Sequence, residues 1–186
     1  MAERVCPWWL GPLMASPFRR WWMQNPEDLL APYIKVGMTV LEPGPGMGFF
    51  TLSLARLTGP TGRVIAVDVQ PKMLAGLRRR ARKAGLLSRI ELRLVQPESM
   101  RLDDLKGAVD FVLAEAVVHE MPSAQGFFGE AVEALKRGGL LFLVEPSGHV
   151  NLEGFRKEVE AAQRAGFEVV IRPAVRNSLA ALLRKI

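Results

Sequence analysis

The residues with the plainest chemical meaning are three glycines and one carboxylate. The run Val40-Leu41-Glu42-Pro43-Gly44-Pro45-Gly46-Met47-Gly48 passes from an apolar stretch into an amphipathic one, and Asp68 stands twenty residues past Gly48 at the end of a second apolar stretch. Gly44 and Gly46 let a backbone turn tightly and approach a ligand closely, and a helix that follows offers N–H groups to negative charge. A carboxylate at the next strand end can accept both hydroxyls of a ribose. The spacing is G-x-G-x-G. Phe49 stands where the dinucleotide fingerprint G-x-G-x-x-G needs its third glycine, which disfavours a dehydrogenase.

These residues need strands and helices to position them. From Val36 onward, short runs rich in Val, Ile, Leu and Phe alternate with amphipathic stretches, the pattern of strands joined by crossover helices over a parallel sheet. Strands are expected at Met38–Glu42, Val64–Asp68, Ile90–Val95, Val109–Ala114 and Leu140–Glu145. Helices are expected at Phe49–Leu57 and at Pro71–Ala84, where proline suits the first turn and Gly85 the stop. Ser123 can cap a helix reaching about Arg137, ended by Gly138 and Gly139. A further helix, Leu152–Ala165, carries Phe155, Val159 and Ala162 on one face and stops at Gly166. Phe167–Arg172 and Leu179–Leu183 are joined by too short a loop for a crossover helix, so they should pair antiparallel at the sheet edge.

With this order of elements around them, the motifs resemble those of the class I S-adenosylmethionine-dependent methyltransferases, and the resemblance covers nearly the whole chain. Ala134-Leu135-Lys136-Arg137-Gly138-Gly139 is similar to the family's L-K-P-G-G turn, with Arg137 in place of proline. The terminal hairpin matches as well. The resemblance implies a Rossmann-like, seven-stranded, mostly parallel α/β sheet with an antiparallel terminal strand and helices on both faces. It implies S-adenosylmethionine as cofactor. Glu42, Gly44, Gly46 and Gly48 would hold its methionine end, Asp68 its ribose, and Val69 one face of its adenine. Where the family shows Gly-Asp after the third strand, this chain has Val95-Gln96, so Gln96 and Pro97 become the adenine contacts, with a neutral amide in place of a carboxylate.

Methyl transfer from a sulfonium depends largely on positioning. A hydroxyl or protonated amine acceptor also needs a base near the end of the fourth strand, where Ala114-Glu115-Ala116-Val117-Val118-His119-Glu120 lies. His119, with an ordinary pKa near 6.5, is the first candidate and Glu120 the second, while Glu115 is expected to touch the cofactor. The alternative for His119 is to cap or orient the loop before Ser123. The same segment lacks the Asn/Asp-Pro-Pro-aromatic motif of enzymes that methylate exocyclic amino groups of nucleobases, and it lacks the Pro-Cys of cytosine C5 methylation. The first motif is similar to that of ribosomal RNA adenine dimethyltransferases, without their aromatic motif or C-terminal domain.

Composition sets the remaining bounds. The chain has 186 residues, 49% of them apolar, which suits one globular methyltransferase domain with residues 1–35 as an N-terminal cap or substrate-side segment. One cysteine, Cys6, and two histidines, His119 and His149, are too few for a Cys/His zinc cluster, and no metal is expected. No apolar run approaches the roughly 18 residues of a membrane span, and Glu3, Arg4, Pro7, Pro12 and Pro17 interrupt any export signal, so a cytoplasmic setting is expected.

The formal charge of +6 lies in the first half, where residues 1–100 carry 14 basic and 7 acidic side chains. Its densest run, Arg78, Arg79, Arg80, Arg82 and Lys83, falls in the second half of a helix whose buried stripe is expected to be Leu74, Leu77, Ala81 and Ala84. A solvated basic face is therefore the expectation, with RNA contact as the lesser alternative. Trp8, Trp9, Trp21 and Trp22, mixed with Met14, Phe18, Arg19, Arg20 and Met23, suit packing of a preface helix, an apolar acceptor pocket or a membrane interface. The sequence reading is methyl transfer to a small organic acceptor. Methylation of RNA or a ribosomal component and a non-catalytic cofactor-binding regulator stand behind it; oligomeric state is not readable.

Overall fold

The computed structural model describes residues 6–16 and 25–186, without the side chain of Met14; Phe18, Arg19, Arg20, Trp21, Trp22 and Met23 lie outside the described residues. The chain divides into two compact units, residues 1–94 and 95–186.

The first unit opens with a 3-10 turn, Trp8–Leu10, running into a one-turn helix α1, Gly11–Met14. Helix α2, Pro26–Leu30, follows, with Pro26 in its first turn and Asn25 accepting from the Glu27 N–H. Strands β1 (Thr39–Pro43), β2 (Arg63–Asp68) and β3 (Ile90–Leu94) alternate with helices α3 (Thr51–Leu57) and α4 (Pro71–Lys83). Strand β2 pairs in parallel with β1 and β3, so Glu42 lies opposite Ala66 and Asp68 opposite Leu94. Both of β2's faces are covered, which is why Val64 to Val67 are uninterruptedly apolar.

Two boundaries differ from the sequence reading. Helix α3 starts at Thr51, not Phe49, because the turn closed by Gly48 N–H donating to the Pro45 carbonyl extends to Phe50, with Gly48 at φ +87°. In α4, Ala84 is exposed and the buried stripe is Met73, Leu74, Gly76, Leu77 and Ala81. The helix has ended at Lys83, and Gly85 turns the chain away at φ +69°.

The second unit contains β4 (Val109–Glu115), α5 (Ala124–Ala134), β5 (Leu135–Pro146), α6 (Leu152–Arg164), β6 (Phe167–Ile171) and β7 (Ser178–Lys185). Strands β4 and β5 are parallel, while β7 is antiparallel to both β5 and β6. The terminal pair is therefore antiparallel as expected, with β7 inserted between β5 and β6. Ser123 Oγ caps α5 by accepting from Gly126 N–H at 3.1 Å, and Asn151 caps α6 by accepting from Gly154 N–H at 2.8 Å. Phe155, Val159 and Ala162 are buried on α6 as their spacing requires.

Helix α5 stops at Ala134, three residues before Arg137. Leu135 already pairs with Val109, and the ladder resumes only at Leu140 opposite Phe111. The four intervening residues bulge outward. Gly138 takes φ +73°, and a side chain on Gly139 would lie 2.9 Å from the Lys136 carbonyl oxygen, so the glycine pair makes a strand irregularity rather than a helix stop. Among the described residues no helix is long and apolar enough to cross a membrane.

Candidate active site

In the first unit the glycine loop and Asp68 meet. Parallel pairing sets Pro43 beside Val67, and Gly44 N–H donates to the Val67 carbonyl at 2.9 Å, so the loop leaves β1 level with the end of β2. Gly44 and Gly46 have φ of +65° and +53°, conformations that glycine adopts without strain. Gly48 is needed for a different reason: a Cβ there would lie 2.3 Å from Leu77 Cδ1, so it permits close packing against α4.

Asp68 is only 7% exposed and accepts from Gln70 N–H at 2.8 Å. Burial is the largest influence on it and pushes its pKa up to about 6 from 3.8, while backbone N–H groups of Gln70, Gly46 and Val69 pull the other way. Gly46 thus points its amide at the carboxylate twenty-two residues on. Glu42 is buried at the end of β1, and Val69 is half-buried directly after β2. A buried carboxylate among inward-pointing amides, next to a loop whose Gly46 has open space where a side chain would stand, fits the polar adenosyl group expected there.

The N-terminal segment covers this loop. Met47 lies between Gly11 and Gly76, either of which would clash with it if given a Cβ, and it is buried with Ala15 and Met73. Gln70 Nε2 donates to the Cys6 carbonyl at 2.9 Å, and Lys72 Nζ lies 4.0 Å from the centre of the Trp8 ring. Arg80 donates to the Met47 carbonyl and, at 2.9 Å, to that of Ala15. The expectation of a wholly solvated basic face is thereby corrected. Arg80 is half-buried and staples residues 11–16 onto the glycine loop, whereas Arg78, Arg79, Arg82 and Lys83 are exposed. Spacing alone could not separate it from its neighbours.

The other expected residues lie in the second unit, described by itself. Gln96 and Pro97 are exposed after β3, with Gln96 bridging Ser99, and Pro97 borders a cleft with Met100, Met121, Phe127 and Glu130. Glu115 is half-buried at the end of β4. Ala116 follows with φ +53°, a strained conformation for alanine, and turns the chain into the 3-10 turn Val118–Glu120. His119 and Glu120 therefore sit together on that turn, both half-buried.

A partner of His119 that sequence reasoning missed is Glu145. Its carboxylate is fully buried, and Oε2 lies 2.6 Å from His119 Nδ1. This hydrogen bond is the main cause of a His119 pKa raised above 6.5, against the opposing effect of burial; the charges of Glu145, Glu120 and Glu158 add to it. Glu158, buried on α6, has its pKa pushed up to about 8, first by burial and then by the charge of Glu145. The signal was available. A glutamate closing the buried run Leu141–Val144 is costly unless it is hydrogen-bonded, which marks it for a specific partner. Among the described residues no three His, Cys, Asp or Glu side chains are grouped to hold a metal ion.

Comparison with known proteins bears on this geometry. Residues 34–177 match a family model described as a methyltransferase domain. An arsenite methyltransferase of Halobacterium salinarum is 33% identical over 115 residues, covering 62% of this chain and 28% of that protein. A ubiquinone/menaquinone biosynthesis C-methyltransferase of Klebsiella pneumoniae is 26% identical over 136 residues, covering 73% and 53% respectively. The chain thus spans about half or less of the length of these relatives. A crystal structure of an S-adenosylmethionine-dependent methyltransferase from Aquifex aeolicus superposes with a TM-score of 0.87 at 23% identity, covering 98% of this chain and 100% of that one. That likeness shows the fold: a Rossmann-like, seven-stranded, mostly parallel sheet with an antiparallel terminal strand.

Proposed function

For this chain, which belongs to the methyltransferase-domain family of class I S-adenosylmethionine-dependent enzymes, we propose methyl transfer to a small organic acceptor in the cytoplasm. When bound, the cofactor supplies an electrophilic methyl group on a sulfonium. The observation that carries the reading is the convergence of the Gly46 amide on the buried Asp68 carboxylate, a polar cradle at the ends of β1 and β2.

The roles divide by element. Glu42 and the loop Gly44, Gly46 and Gly48 hold the methionine end, with Gly48 acting through packing. Asp68 accepts the ribose hydroxyls, Val69 lines the adenine, and Gln96, Pro97 and Glu115 supply further cofactor contacts. His119, on its hydrogen-bonded turn, is the proton acceptor for the methyl acceptor, and Glu120 is its neighbour in charge. Residues 1–35 are proposed as an N-terminal cap or substrate-side segment, a reading supported, for the described residues 6–16, by the Arg80 staple and by Met47 packed with Ala15.

Thermal melting with S-adenosylhomocysteine tests the cofactor site. At a hundredfold excess over its Kd the ligand should stabilise the chain by about 2.7 kcal/mol, and Asp68→Ala should remove most of that shift. A larger shift with a dinucleotide would overturn the assignment.

A further inference from the structure

The turn after β4 contains an arrangement that these roles leave unexplained. Glu145, one residue before the end of β5, has a side chain with no solvent exposure. A carboxylate removed from water is tolerated only when its oxygens are hydrogen-bonded. Both oxygens of Glu145 are spent on a single segment of chain. Oε1 accepts from the backbone N–H groups of Val118 at 2.9 Å and His119 at 3.3 Å, and Oε2 meets His119 Nδ1 at 2.6 Å. An ionised carboxylate only accepts, so Nδ1 must carry the hydrogen, and a neutral His119 then has its lone pair at Nε2. The imidazole is 19% exposed, and the ring of His149 meets it edge-on at 5.4 Å between centroids.

We infer that Glu145 is a positioning residue: it locks His119 in the Nδ1–H tautomer and so makes Nε2 the proton acceptor for a methyl acceptor bearing a hydroxyl. The inference rests on the methyl-transfer reading above. In the proton step the acceptor's O–H bond breaks, the proton binds the Nε2 lone pair, and the oxygen keeps the bonding electrons. The imidazolium formed is matched by the adjacent carboxylate, as a charge-assisted hydrogen bond requires. The other groups facing the ring are Glu120 on the same turn, His149 on the turn before α6, and Glu158 on α6. Glu158, whose pKa burial pushes up to about 8, is the weakest of these influences on the ring, behind Glu145 and Glu120.

The test is nitrogen NMR of the two imidazoles in the full chain, with His149→Gln assigning them. His119 should show a protonated Nδ1 and an unprotonated Nε2, and should titrate above 6.5. Glu145→Gln preserves shape, but its amide oxygen is needed by the Val118 and His119 backbone donors, which turns the amide N–H toward Nδ1. The tautomer should then invert to Nε2–H and the titration point fall, while Glu158→Gln leaves the tautomer unchanged and moves the titration point less than Glu145→Gln does. With labelled S-adenosylmethionine and a small-molecule extract, Glu145→Gln should lower transfer by roughly 10²-fold or more and abolish its rise with pH. Stabilisation by S-adenosylhomocysteine should stay as in the parent chain. An unprotonated Nδ1 in the parent chain, an unaltered tautomer in Glu145→Gln, or full transfer by His119→Gln each overturns the inference alone. Absence of any S-adenosylhomocysteine shift in the parent chain overturns the methyl-transfer reading first, and the inference with it.

Discussion

At the scale of single residues, two carboxyl groups make the chain's response to pH unusual. Asp68 and Glu158 bind their protons more tightly folded than unfolded, so each contributes stability at low pH that is lost as pH rises through its folded value. For Asp68 that window runs from 3.8 to about 6, a difference near two pKa units, or on the order of 3 kcal/mol. Glu158 extends the decline toward pH 8. Melting temperature should therefore be higher near pH 5.5 than at pH 8, and Glu158→Gln should flatten its fall between pH 6 and 8 in a calorimetric pH series. Ligand affinity should run the other way. An ionised Asp68 accepts two hydroxyls, so the Kd of S-adenosylhomocysteine should drop as pH rises through 6, and Asp68→Asn should flatten that dependence in titration calorimetry.

Elements matter here through how closely they approach one another. Gly48 lets the glycine loop rest against α4, and adding a methyl there meets Leu77 in a backbone conformation that alanine resists. Gly48→Ala should cost about 2–4 kcal/mol by denaturant unfolding, whereas Gly138→Ala, in open space, should pay only the backbone strain of about 1–2 kcal/mol. Arg80 is the corresponding link between α4 and the N-terminal segment. Arg80→Met removes two hydrogen bonds to carbonyl oxygens, and loosening of residues 6–16 should appear as faster cleavage there under limited proteolysis, while Arg79→Met leaves the cleavage rate unchanged. The bulge at Lys136–Gly139 works similarly: it lets β5 regain its register with β4 and bring Glu145 level with Leu179 of β7 near the strand end.

At the scale of the whole molecule the open question is the acceptor. Of the five cations in the basic run on α4, Arg80 is taken up by the carbonyl oxygens of Met47 and Ala15, which leaves four exposed. After incubation with extract and labelled cofactor, label should collect in the low-molecular-mass fraction. Filter binding should show little RNA retention and little dependence on salt; strong retention falling steeply with salt would favour the RNA alternative.

Strand and helix order, the glycine loop and Asp68 were determined by the sequence itself, because hydrophobic period, turn chemistry and a glycine-rich strand end are local signals that need no partner to be read. Helix ends were less legible: the stop at Ala134 depends on Leu135 finding Val109, a pairing twenty-six residues away in the chain. The role of Arg80 and the identity of Glu145's partner were settled only by tertiary structure. One looked like any basic residue on a helix and the other like the polar end of a strand. Their roles arise from carbonyl oxygens and an imidazole brought to within hydrogen-bonding distance by folding, and linear spacing carries no record of such distances.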